Sequence, residues 1–250
     1  ASDHLDVYVA TSMRKRRDFL EVARATREVF ERPQLDELNL RYFDPTQAYC
    51  DDRVDKGLAE ALMLRRAACT VYLAQESDTL GKDSELASTL AQGKPVVVYV
   101  PRVDTAFVDR LVETALEAEP GRTRGETLLR LLGEVAPDLG WAPEETLLRS
   151  WIDAPATVDE AVDRERLETL LRSRSERRAD SLRDHHPLGI QVHLETGVAI
   201  GVLVARTAEQ CADLVRKIVL NELASSLKVV RYETSGLLVL REKVTGSIFR

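Results

Sequence analysis

The densest run of chemistry-bearing side chains in this 250-residue chain is Gln75-Glu76-Ser77-Asp78-Thr79-Leu80-Gly81-Lys82-Asp83-Ser84-Glu85. It follows a short apolar segment and leads into a helical one, so it belongs at the carboxyl end of a strand. In open α/β sheets that is where ligands bind. An ionised carboxylate on such a rim stabilises developing positive charge, and neighbouring polar groups hold hydroxyls or orient water. Glu85 is the carboxylate singled out by its place at the start of the helix, with Ser84 or Asp83 as the cap. An acid in a helix's first turn also complements the helix dipole with no further role, so both readings stand at this point. Other segments feed the same rim: Ser12 and Arg14 after the first strand, Asp44 after the second, and Asp51, Asp52 and Asp55 in the linker beyond it.

The elements that must position these groups alternate. Residues 6–11 (DVYVAT) form a β-branched and aromatic strand, and residues 14–30 an amphipathic helix with Ser12 before it as a plausible cap. Residues 38–43 read as the second strand. Residues 56–68 read as a helix with Leu58, Ala61, Leu62 and Leu64 on its buried side. Residues 70–74 give a third strand, 84–92 a helix closed by Gly93, and 95–100 (PVVVYV) a fourth strand. Almost wholly apolar strands separated by helices predict a parallel sheet covered on both faces, a doubly wound α/β domain of Rossmann-like character.

After residue 103 the pattern changes. Residues 105–118, 123–135, 143–152 and 157–182 carry helical periodicity, two of them opening with capping boxes, Thr123 with Glu126 and Thr157 with Glu160. The organisation expected is a core over 1–103, a helical insertion over 104–185, and a strand-helix-strand segment over 186–250 that completes the sheet. Leu128, Leu129, Leu131 and Leu132, with Leu147, Leu148, Trp151 and Ile152, give the insertion enough apolar surface for an intramolecular bundle or for joining subunits into a homo-oligomer.

Composition removes several function classes. A formal net charge of −7 argues against broad contact with nucleic-acid phosphates. No apolar run is long enough to span a membrane, and no signal peptide is evident. Three scattered cysteines form no disulfide framework and suit a reducing cytoplasm. None of the 12 glycines stands in a dinucleotide fingerprint, and Gly81-Lys82 lacks the rest of a phosphate loop. His185, His186, His193 and Glu195 match no common metal-ligand spacing, so no metal is expected. The chain opens without Met and stops inside an apparent strand, which suggests a piece of a longer polypeptide.

The segment Leu80-Gly81-Lys82-Asp83-Ser84-Glu85-Leu86 through Ala91-Gln92-Gly93-Lys94-Pro95-Val96 resembles the signature of nucleoside 2-deoxyribosyltransferases and their relatives, among them the Toll/interleukin-receptor (TIR) NADases. The resemblance covers roughly residues 5–101. It implies that Glu85, nine residues before Lys94, attacks or stabilises the anomeric carbon of a ribosyl group. It also implies that Asp78 contacts base or sugar and that the strand and turn from Val7 to Ser12 hold substrate. Arg66 stands where the transferases carry a base-binding Asp before the third strand, which favours glycosidic cleavage over base transfer.

The expectation that follows is cleavage of the N-glycosidic bond of NAD or a related nucleotide, with the nucleotide as substrate and no separate cofactor. Glu85 is the catalytic carboxylate in this reading. Asp78 and Asp44 hold ribose hydroxyls or water, and Ser84 stands beside them. Arg14, or the helix N-terminus at Ser12, receives phosphate, and Tyr8 and Tyr42 flank the base. A nucleotide-sensing module without turnover, a protein-binding scaffold and a deoxyribosyltransferase are the rival readings.

Overall fold

The computed structural model describes residues 5–47, 50–75, 80–135, 160–184, 191–193, 198–200, 202–222, 227–231, 238–243, 246 and 248–249. Its contacts divide into two units, one of Ala1–Arg14, Val22–Pro101 and Ala179–Arg250, the other of Lys15–Glu21 and Arg102–Arg178.

In the first unit, β1 (Leu5–Ala10), β2 (Tyr42–Phe43), β3 (Ala67–Leu73), β4 (Val96–Tyr99) and a later strand, β7 (Val202–Ala205), form one sheet. Its order is β2-β1-β3-β4-β7, and every pairing is parallel. This is a doubly wound α/β arrangement whose winding direction reverses between β1 and β3. Alternate strand residues enter opposite cores, as the two-residue period of a strand requires. Val7, Val9, Val71, Val97 and Leu203 pack with Val22, Val29 and Phe30 of α1 (Arg16–Phe30) and with Cys211, Leu214 and Val215 of α8 (Ala208–Val219). Tyr8, Ala10, Tyr72, Val96, Val98 and Val204 face the other way, with Leu64 of α3 (Arg53–Arg66) and Leu86 of α4 (Leu80–Ala91).

Several boundaries differ from those the sequence suggests. Strand β2 is two residues long, because Asn39 adopts φ 46 and breaks the extended run, while Leu38 and Leu40 still pack against the core. A one-turn helix, α2 (Pro33–Asp36), precedes it. Helix α1 starts at Arg16, not Arg14. Helix α4 starts at Leu80, four residues before the expected Ser84.

Helix α3 departs most. Its N-cap is Asp52, whose carboxylate accepts from the amides of Val54 and Asp55. Its inward side carries Lys56, Glu60, Met63 and Leu64, whereas Leu58, Ala61 and Leu62, expected to be buried, are exposed. Two apolar stripes lie on opposite sides of this helix, and periodicity does not say which one docks.

Among the described residues beyond 186, the parallel sheet gains β7 alone. β8 (Leu227–Arg231), β9 (Leu238–Glu242) and β10 (Ile248–Phe249) form their own antiparallel sheet, in place of the last strand of the strand-helix-strand segment expected to complete the main sheet. β5 (Gln191–His193) and β6 (Val198–Ile200) make a two-stranded antiparallel pair.

The second unit is helical. α5 (Thr105–Ala118) is capped by Asp104, and α6 (Arg124–Val135) opens with the reciprocal Thr123–Glu126 box. Val108, Leu111, Val112, Leu128 and Leu131 pack with Leu167 and Leu170 of α7 (Glu160–Asp184). The segment 143–152, with Leu147, Leu148, Trp151 and Ile152, lies outside the described residues, as do Thr157, His185, His186 and Glu195. No described helix is long and apolar enough to cross a membrane.

Candidate functional site

Tyr8 points from the middle of β1 toward α3 and α4 and is fully buried. Its ring stacks on Phe43 at 5.4 Å between centroids. Its hydroxyl donates to Glu85 Oε1 at 2.8 Å. The other carboxylate oxygen, Oε2, is enclosed and has no hydrogen-bond partner among the described residues.

Four ties between α4 and the sheet set the position of Glu85. Besides the Tyr8 bond, Tyr72 donates its hydroxyl to Asp83 Oδ1 at 2.8 Å. Lys82, wholly buried, sends Nζ to Leu73 O at 2.6 Å and Gln75 Oε1 at 3.4 Å, and lies 4.5 Å over the Tyr72 ring. One turn on, Thr89 donates to Glu85 O at 2.9 Å and meets Thr70 at 2.7 Å. Lys82, Glu85, Leu86 and Thr89 thus form the i, i+3, i+4, i+7 face that packs on β1 and β3.

Gln75 closes the switch point. Its Oε1 accepts from the Ser12 amide at 2.6 Å, and its Nε2 donates to Ser12 O at 2.8 Å. The end of β1 is thereby pinned to the end of β3. The Ser12 and Thr11 hydroxyls are both enclosed, with no hydrogen-bond partner among the described residues.

Burial dominates the electrostatics of Glu85 and pushes its carboxyl up to about 7. The Tyr8 hydrogen bond pulls it down, the Glu60 charge pushes it up, and the charges of Lys82 and Lys56 pull it down. Glu60 is itself paired with Lys56 at 3.7 Å. Tyr8 is held far above the usual phenol range, first by burial and then by Glu85, so it stays a donor. Glu85 is therefore a carboxylate poised between its two forms near neutral pH, with no salt-bridge cation of its own among the described residues.

Of the expected site residues, the structure brings Tyr8 and Glu85 into contact and links Ser12 to the same cluster through Gln75 and Lys82. Tyr42 is elsewhere. It stacks on Phe30 at 4.2 Å on the α1 side of the sheet, because successive strand residues face opposite ways, and Phe43 takes the place beside Tyr8. Ser84 is exposed and donates to Leu80 O at 2.7 Å inside the helix, so it is not the cap. Because α4 starts early, Asp83 occupies the first turn and Glu85 the second, which removes the simple helix-dipole explanation for Glu85. Arg14 is exposed in the bend before α1. The Ser12 amide is taken by Gln75, and the Lys15 amide is capped by Asp18 at 2.9 Å, which gives α1 an acidic start rather than an open anion site. Asp44 is half-buried directly after β2, and Asp78 lies outside the described residues.

Sequence reasoning gave no site role to Lys82, Gln75 or Phe43, although the first two stand in the polar run before Glu85. A lysine repeating with the apolar face of α4, and a glutamine directly after an apolar strand, were the available signals. Comparison with protein families, curated proteins and solved structures finds no match to this chain.

Proposed function

We propose that the α/β unit cleaves the N-glycosidic bond of NAD or a related nucleotide, with Glu85 as the carboxylate that faces the reacting sugar. The observation that carries this reading is the state of Glu85: half-buried, oriented by Tyr8, without a salt-bridge cation among the described residues, and with its second oxygen enclosed and lacking a hydrogen-bond partner there. Such a group stabilises an oxocarbenium-like ribosyl carbon, since the low surrounding dielectric strengthens its field. In the reaction the C1′–N bond breaks with its electron pair moving to nitrogen. Water then adds its oxygen to C1′ and loses a proton to solvent.

A pyridinium leaving group is the simplest case for a carboxylate that acts by its charge alone. Nicotinamide departs neutral and needs no proton, whereas a purine needs an acid. The enclosure of Oε2 supports a second reading, in which the resting domain binds nucleotide without turning it over until the side chains around Glu85 part. Incubation with NAD, at dilute and at high protein concentration, separates the two. Free nicotinamide is expected from the enzyme. Binding detected by thermal shift with no nicotinamide at any concentration leaves the sensing reading in its place.

A further inference from the structure

Helix α3 carries an unpartnered apolar row on the side opposite Lys56, Glu60 and Leu64. Val54, Leu58 and Leu62 are 68%, 59% and 53% exposed, and their i, i+4, i+8 spacing sets them in one line about 12 Å long. Gly57 and Ala61 flank the line, both exposed, and a Cβ on Gly57 would meet nothing within 4 Å. Scattered exposed apolar residues need no explanation. A continuous row on one helix, with a charged pair turned inward in its place, does.

The charges beside the row indicate what covers it. Exposed Asp51 and Asp55 stand at the amino end of α3, and exposed Arg65 and Arg66 at the carboxyl end. This face is complementary to itself when reversed. We propose that the row is the contact to a second copy of the chain, with two α3 helices packed antiparallel across a two-fold axis at Leu58. That axis sets Leu58 against its own equivalent, Val54 against the partner's Leu62, and Asp51 opposite the partner's Arg65. A parallel pairing would oppose like charges instead. The small side chains at 57 and 61 allow the helices to approach closely. One pair of 14-residue helices buries less than the ~1,200 Å² at the lower end of stable interfaces, so the dimer forms and dissociates with concentration. The proposal does not depend on the enzymatic reading.

Sedimentation velocity over roughly two decades of concentration tests it. The wild-type chain is expected to pass from monomer to dimer. Leu58→Asp changes an exposed residue, so at dilute concentration its circular dichroism and melting temperature should match the wild type, and it should stay monomeric throughout. Arg65→Asp should raise the dissociation constant by roughly tenfold, and adding Asp51→Arg should restore it. A wild-type monomer at the highest concentration, a dimer indifferent to Leu58→Asp, or a double charge reversal that fails to restore association overturns the proposal.

Discussion

Glu85 couples stability to chemistry in a way that one substitution can separate. Its folded pKa of about 7 lies above the ordinary 4.5, so the folded state holds the proton more tightly than the unfolded chain. The stability this contributes is fully present below pH 4.5 and lost as pH rises through about 7. Glu85→Gln does not titrate and keeps an acceptor for Tyr8. Denaturant unfolding should therefore show the variant equal to wild type at pH 4 and more stable at pH 8, by up to about 3 kcal/mol. Its turnover should nonetheless fall more than a hundredfold, the loss of ~3–4 kcal/mol of transition-state stabilisation. Tyr8→Phe removes the hydrogen bond that pulls the Glu85 pKa down. In a pH profile of kcat/KM, the rising limb near 7 should move to higher pH. Glu85 and Tyr8 were both singled out in the sequence, but Tyr8 for a different place: it was expected to flank a base, and it is instead fully buried with its hydroxyl on Glu85. Phe43 in place of Tyr42 was not legible there, since a one-residue difference in a two-residue strand decides which face an aromatic takes.

At the scale of elements, α4 is held to the sheet by polar ties inside an apolar face, and Lys82, which makes one of them, is wholly buried. Lys82→Met keeps the length of the stem but deletes the donor to Leu73 O and Gln75 Oε1. Urea unfolding should register a loss of about 1–3 kcal/mol. Because the Lys82 charge lowers the Glu85 pKa, the same variant should also shift the rising pH limb upward. The alternation of strands and helices could be read from apolar runs and caps. Where α4 begins could not, because residues 80–83 carry no strong start signal and the ties that fix them come from β3 and the segment just after it. For α3 the obstacle was symmetry: apolar residues on both sides leave the docking face to tertiary contacts, and Leu64 with Met63 won over Leu58 with Leu62.

For the whole molecule, the sheet order β2-β1-β3-β4-β7 puts the reversal between β1 and β3, and Gln75 binds Ser12 across it. The parallel sheet was foreseeable from strands apolar on both faces. The separate antiparallel sheet of β8–β10 was not, because its strands carry the same apolar signal as those of the main sheet. The helical unit has its own core, in which Leu131 is fully buried. Leu131→Ala should cost about 2–5 kcal/mol in unfolding measurements on the whole chain. The central question for this molecule is whether Glu85 acts on a glycosidic bond. The most direct measurement is chromatographic quantitation of nicotinamide released from NAD at pH 8 by wild-type protein and by folded Glu85→Gln, each at dilute and concentrated conditions. Release by the wild type, with a more than hundredfold drop in the variant, is the expected result. Equal release by both proteins, or none from the wild type under any of these conditions, contradicts it.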